Sequence, residues 1–234
     1  MSDHTVKSYD EDLIEIGRKI AEMGGIAETM LSNSISALVK GDTVLAQRVI
    51  ATDPRLDTLE REVEEKATLT IAKRQPMAID LRAIVSAIRI ASDLERIGDL
   101  AKNVGKRVVA IDGQFAPQKI VGGVEHISDL ALDRMKRVLD AYAQRDDAAA
   151  MDVWRRDEEI DKLYNSLFRE LLTYMMEDPR NIGFCAHLLF CAKNIERIGD
   201  HATNIAETIH YLITGEAISG DRPRASDAII PLET

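Results

Sequence analysis

The strongest constraint on this chain is an internal repeat. LERIGDLAKNV at 94–104 returns as IERIGDHATNI at 195–205, offset by 101 residues. Glu95, Arg96, Ile97, Gly98, Asp99, Ala101 and Asn103 match Glu196, Arg197, Ile198, Gly199, Asp200, Ala202 and Asn204. Upstream, DPRLDTL at 53–59 returns as DEEIDKL at 157–163, offset by 104, and Pro76 and Pro179 keep nearly the same offset. Matching order, turns and spacing indicate one folding unit used twice. Chance likeness between helices does not produce an identical ERIGD pentapeptide.

Each unit reads as three long helices. The first runs from about Glu11 to Lys40, the second on to about Gln75 before Pro76, and the third from about Ala78 to Ile111. After a connector holding Pro117, Gly122 and Gly123, a fourth reaches about Gln144, a fifth spans Asp146–Glu177, and a sixth runs from about Asn181 to Ile213. Asp42, Asp146 and Asn181 are expected N-caps; Gly41, Gly113 and Gly215 are expected stops. On the third helix Ile90, Leu94, Ile97, Ala101, Val104 and Val108 form a stripe with alternating spacings of four and three, suited to bundle packing. The expected fold class is all-α: six long helices in two tandem three-helix bundles related by duplication. The expected domains are 1–113 and 114–215, with 216–234 a mobile tail holding Pro223 and Pro231.

The long segments are rich in good helix formers, and aromatics are only 4%, low for a β-sandwich or barrel core. A net charge of −10 repels phosphate backbones, so nucleic acid is not the expected partner, while cations and basic protein surfaces are favoured. Met1 to Asp12 has no apolar signal core, and no apolar run approaches the roughly 18 to 20 residues that span a bilayer. The expectation is a cytoplasmic protein whose two cysteines, Cys185 and Cys191, are reduced core residues.

The chemistry sits in acidic pairs at i, i+4 spacing: Asp53 and Asp57, Glu95 and Asp99, Asp157 and Asp161, Glu196 and Asp200. Such pairs share a helix face, and each costs a few tenths of a kcal/mol in repulsion. Asp57 and Glu95 lie 19 residues either side of Pro76, and Asp53 and Asp99 lie 23 either side. An antiparallel hairpin therefore sets Asp57 against Glu95 and Asp53 against Asp99. The same mirror relation sets Asp161 against Glu196 and Asp157 against Asp200. Four carboxylates would converge twice, a donor set suited to hard or borderline cations such as magnesium, manganese or iron. Asn103 and Asn204 continue the stripe and could orient ligands.

Other readings stand beside this one. A solvated acidic face, with Arg96 and Arg197 paired locally to Asp99 and Asp200, satisfies the same residues without metal. Helical-wheel angles turn Glu95 and Asp99 away from the apolar seam, so any site is expected at the surface. Gly98 and Gly199 allow a close approach, either by a packed helix or by a cluster. His187, His201 and Trp154 read as structural. The di-iron ExxH pattern is missing, as are a P-loop, GxGxxG, HExxH and a Ser/His/Asp set.

Two three-helix units with paired E(D)xxxD motifs and a twice-used ERIGDxAxN resemble the PhoU family, over about residues 11 to 213. The resemblance implies a dimeric bacterial regulator, not an enzyme, that represses the phosphate-starvation response and modulates phosphate uptake. Its implied partners are the ATPase of the phosphate ABC transporter and a membrane sensor histidine kinase. The implied cofactor is a divalent or multinuclear metal (iron, zinc, manganese or magnesium), with ligands Asp53, Asp57, Glu95 and Asp99 in the first repeat, and Asp157, Asp161, Glu196 and Asp200 in the second. The rivals are a carboxylate-bridged redox enzyme and a metal-free helical scaffold.

Overall fold

The structure is a computed structural model and describes residues 2–111, 118–220 and 222. The helices are α1 Ser2–Lys40, α2 Thr43–Arg74, α3 Ala78–Ile111, α4 Gln118–Gln144, α5 Asp147–Arg155, α6 Glu158–Glu177 and α7 Ile182–Thr214. A short 3-10 turn over Pro179–Asn181 joins α6 to α7. Six helical rods are thus present, as expected, with the fifth broken into α5 and α6, and no strand occurs among the described residues.

The ends follow the local chemistry. Asp42 and Asp146 cap α2 and α5, accepting from the backbone N–H of Leu45 at 2.9 Å and of Ala149 at 3.0 Å. Gly41 and Gly215 carry positive φ at helix stops. Asn181 does not cap α7 with its side chain; instead Asp178 accepts from the Arg180 N–H at 3.0 Å and starts the 3-10 turn. The expected stop at Gly113 and the connector Pro117 lie outside the described residues. Gly122 and Gly123 lie inside α4, not in a connector. A Cβ on Gly123 would come within 2.7 Å of Leu167, so this glycine lets α6 pack closely on α4.

The break at Arg156–Asp157 has a cause that sequence periodicity does not carry. Arg134 on α4 is buried, with a side chain only 4% exposed. Its guanidinium donates to the Asp157 carbonyl at 3.1 Å and to the Arg156 carbonyl, and pairs with Glu159 at 3.2 Å. A buried guanidinium needs acceptors, and the interrupted helix frees main-chain carbonyls to supply them. In α2 the corresponding stretch contains Pro54, yet that helix stays whole.

At the centre lie α3 and α7, each burying 14 residues. α1 and α2 pack on α3, while α4, α5 and α6 pack on α7. The stripe Ile90, Leu94, Ile97, Ala101, Val104 and Val108 is buried as expected, in one apolar core that runs through both repeats. Asp93 on α3 meets His201 and Asn204 on α7, while Arg107 further along α3 meets Phe190 earlier on α7. The two central helices are therefore antiparallel. Cys185 and Cys191 are buried and free, and burial pushes the Cys191 thiol up to about 12.

Candidate functional site

Both hairpins place their acidic residues in the expected register. In the first, Lys102 of α3 donates to Asp53 Oδ2 at 2.7 Å and also to Asp99 Oδ1, so Asp53 and Asp99 face one ammonium. Glu95, a turn away, carries the charge of Asp57 in its surroundings, together with that of Glu60. In the second hairpin, Asp157 and Asp200 face one guanidinium, that of Arg222. Glu196 is close enough to Asp161 to be raised by its charge.

The sites are more enclosed than helical-wheel angles suggested. The side chains of Asp53, Asp157, Glu95 and Glu196 are only 9%, 4%, 13% and 12% exposed. The reason is packing: α2 and α6 lie across the polar flank of α3 and α7 and cover what an isolated helix would leave wet. The glycines set that distance. A Cβ on Gly98 would meet Leu56 at 2.2 Å, and one on Gly199 would meet Ile160 at 2.7 Å. Of the two readings of these glycines, close helix packing is the one the structure carries.

Burial gives the carboxyls uneven basicity. Burial and the charges of Asp99, Glu60 and Asp57 push Glu95 up to about 7, against the pull of Arg96. Burial also raises Asp53, partly offset by Lys102. For Asp99, burial works upward but Lys102 and Arg96 outweigh it and hold the carboxyl low. Burial raises Glu196 despite the hydrogen bond from Lys193.

The repeats differ at one position that decides how each cluster is neutralised. Lys102 corresponds to Thr203, one of the few mismatches within the repeated motif. Thr203 is too short to bridge two carboxylates; its hydroxyl reaches Asp157 at 2.7 Å and its other contact is the Gly199 carbonyl at 3.2 Å. Arg222, from beyond α7, supplies the missing cation. It reaches Asp157 Oδ2 at 2.5 Å, Asp157 Oδ1 at 2.9 Å, Asp200 Oδ1 at 2.8 Å and Asn204 Oδ1 at 3.2 Å. The K/T mismatch was visible in the sequence; the tail arginine that answers it was not, because nothing in its spacing ties it to the repeat. Glu60 and Arg134 were missed for the same reason.

A hard cation fits the donor chemistry of these clusters. Glu196 Oε2 is buried without a hydrogen-bond partner among the described residues, and burial together with its acidic neighbours pushes Glu95 up to about 7. The side chains as arranged are closed on Lys102 and Arg222 instead: among the described residues no three His, Cys, Asp or Glu are placed to hold one metal.

The family model for the PhoU domain matches residues 20–108 and again 124–209. The chain belongs to the PhoU family. PhoU relatives named phosphate-specific transport system accessory protein PhoU homolog include that of Rhizobium meliloti (strain 1021), 60% identical over 94% of this chain and 93% of its own length. That of Caulobacter vibrioides (strain NA1000 / CB15N) is 52% identical over 96% and 97%. The crystal structure of PhoU from Pseudomonas aeruginosa superposes with a TM-score of 0.85 at 36% identity, covering 89% of this chain and 100% of that one. The two matched segments each contain one copy of the repeated motif.

Proposed function

We propose that the protein is a phosphate-transport accessory protein that represses the phosphate-starvation response through contacts. Membership of the PhoU family carries this reading, together with relatives named as accessory proteins of phosphate-specific transport. No helix among the described residues is long and apolar enough to cross a membrane. Action at a transporter would therefore run through docking. The two hairpin tips offer apolar side chains for it: Met77 and Ile79 at one, 81% and 62% exposed, and Met176 and Ile182 at the other, 78% and 49% exposed. The proposed partners are the transporter ATPase and a sensor histidine kinase in the cytoplasm, with the protein acting as a homodimer. A partner that this protein binds unequally in two states is thereby shifted between them.

In the same proposal a divalent or multinuclear metal is held by Asp53, Asp57, Glu95 and Asp99, and by Asp157, Asp161, Glu196 and Asp200. It would replace the ammonium and guanidinium as counter-charge. A metal-free scaffold is the second reading, favoured by the closure of both clusters on Lys102 and Arg222. Elemental analysis of purified protein separates the two. Deletion of the gene tests the regulatory role: starvation genes should be expressed in high phosphate, and normal repression would end the proposal. Co-purification with tagged ATPase and kinase from phosphate-fed cells tests the contacts.

A further inference from the structure

The antiparallel joint between α3 and α7 has two ends built from equivalent positions, and their chemistry has diverged. At one end Asp93 accepts from Asn204 at 3.3 Å and is 2.8 Å from His201 Nδ1, while Glu207 accepts from Trp154 Nε1 at 3.0 Å. Arg89 there lies over the Tyr211 ring. This end is acidic and its polar groups are engaged within the fold. At the other end, an offset of 101 turns Asp93 into Asn194, Asn204 into Asn103, Glu207 into Lys106 and Thr208 into Arg107. Both acids are gone and two cations have appeared.

These four residues, with Phe190, line a groove of about 430 Å³. That volume falls in the roughly 300–1,000 Å³ range of small-molecule sites. Lys106 and Arg107 have no ion-pair partner among the described residues, in a chain of net charge −10. Arg107 lies over Phe190, with its guanidinium carbon 4.3 Å from the ring centroid, and Phe190 remains 54% exposed. Asn194 is fixed by donating to the Phe190 carbonyl at 2.8 Å. A positioned guanidinium fork, an ammonium and an amide together are the donor set that oxyanions of phosphorus select.

We propose that this groove binds a phosphate group, either free orthophosphate or the phosphate of a nucleotide whose base stacks on Phe190. The groove borders the acidic stripe through Asn103, and the proposal holds whether or not the carboxylates take metal. The other end of the joint supplies the control, since Asn194→Asp installs the acid found there at Asp93. The substituted carboxylate would sit beside Lys106 and Arg107 and occupy them.

The test is calorimetric titration of the full chain at low salt in EDTA, which keeps metal–nucleotide complexes away from the carboxylates, with orthophosphate and ATP as separate probes. The wild type should bind at least one probe saturably. Asn194→Asp and Lys106→Gln should each weaken it tenfold or more with melting temperatures unchanged. Tighter binding of ATP, lost in Phe190→Ala, assigns a nucleotide; comparable binding of orthophosphate, indifferent to Phe190→Ala, assigns the free anion. Absence of saturable binding by both probes, or binding that Asn194→Asp leaves intact, overturns the proposal.

Discussion

Replacing Glu95 by Gln should stabilise the metal-free protein, and only above a defined pH. In the unfolded chain this carboxyl titrates near 4.5; in the fold, burial and the charges of Asp99, Glu60 and Asp57 push it up to about 7. Below about pH 4.5 it is protonated in both states and contributes no difference. As pH rises toward about 7 the unfolded chain ionises first, so the fold loses stability, and above about 7 the loss is complete. At about 1.4 kcal/mol per pKa unit, a rise from 4.5 to about 7 sets a ceiling of about 3 kcal/mol. The side chain is only 13% exposed, so solvent screening removes little of this. Urea unfolding in EDTA at a series of pH values would measure it. The stability gap between Glu95→Gln and wild type should be near zero at about pH 4.5 and reach roughly 1–3 kcal/mol by about pH 8. A variant no more stable than wild type at pH 8, or a gap that does not change with pH, would refute the reasoning.

Lys102→Met should cost about 2 kcal/mol, because it strips a hydrogen-bonded cation from two carboxylates, one of them nearly buried; urea midpoints at neutral pH would show it. Truncation after Gly220 should lower stability by about 2–3 kcal/mol through loss of Arg222 from the buried Asp157; a melt matching full length would disprove the anchor. Gly98→Ala should destabilise by roughly 1 kcal/mol, since displacing Leu56 costs more than the helix gains from alanine; a rise in melting temperature would contradict this.

The duplicated motif and hairpin register were readable in the sequence because both are local. An identical pentapeptide fixes the repeat, and equal distances from Pro76 fix which carboxylates meet. What was not readable depends on groups brought together across the core. Arg134 breaks the fifth rod from a different helix, and Arg222 enters a cluster 65 positions from Asp157. The expected N-cap at Asn181 failed for a smaller reason of the same kind: Asp178 captures the turn first, and the Asn181 amide donates to the Tyr174 carbonyl instead. Burial of Glu95 was misjudged because a helical wheel has no neighbours, while α2 lies across that flank; Asp99 keeps 29% exposure, nearer the surface position expected of it.

The pairing of α3 with α7 has a consequence for synthesis. Its partners are about a hundred residues apart in the chain, so this contact closes one of the largest loops in the fold and belongs to the slow class of events. At about 5–20 residues per second, α3 leaves the ribosome some 5–20 s before α7 is complete. During that interval the first repeat exists without the helix that covers its far side. A nascent chain stalled between the repeats should therefore present a sticky apolar surface, and chaperone demand should peak there, not at either terminus.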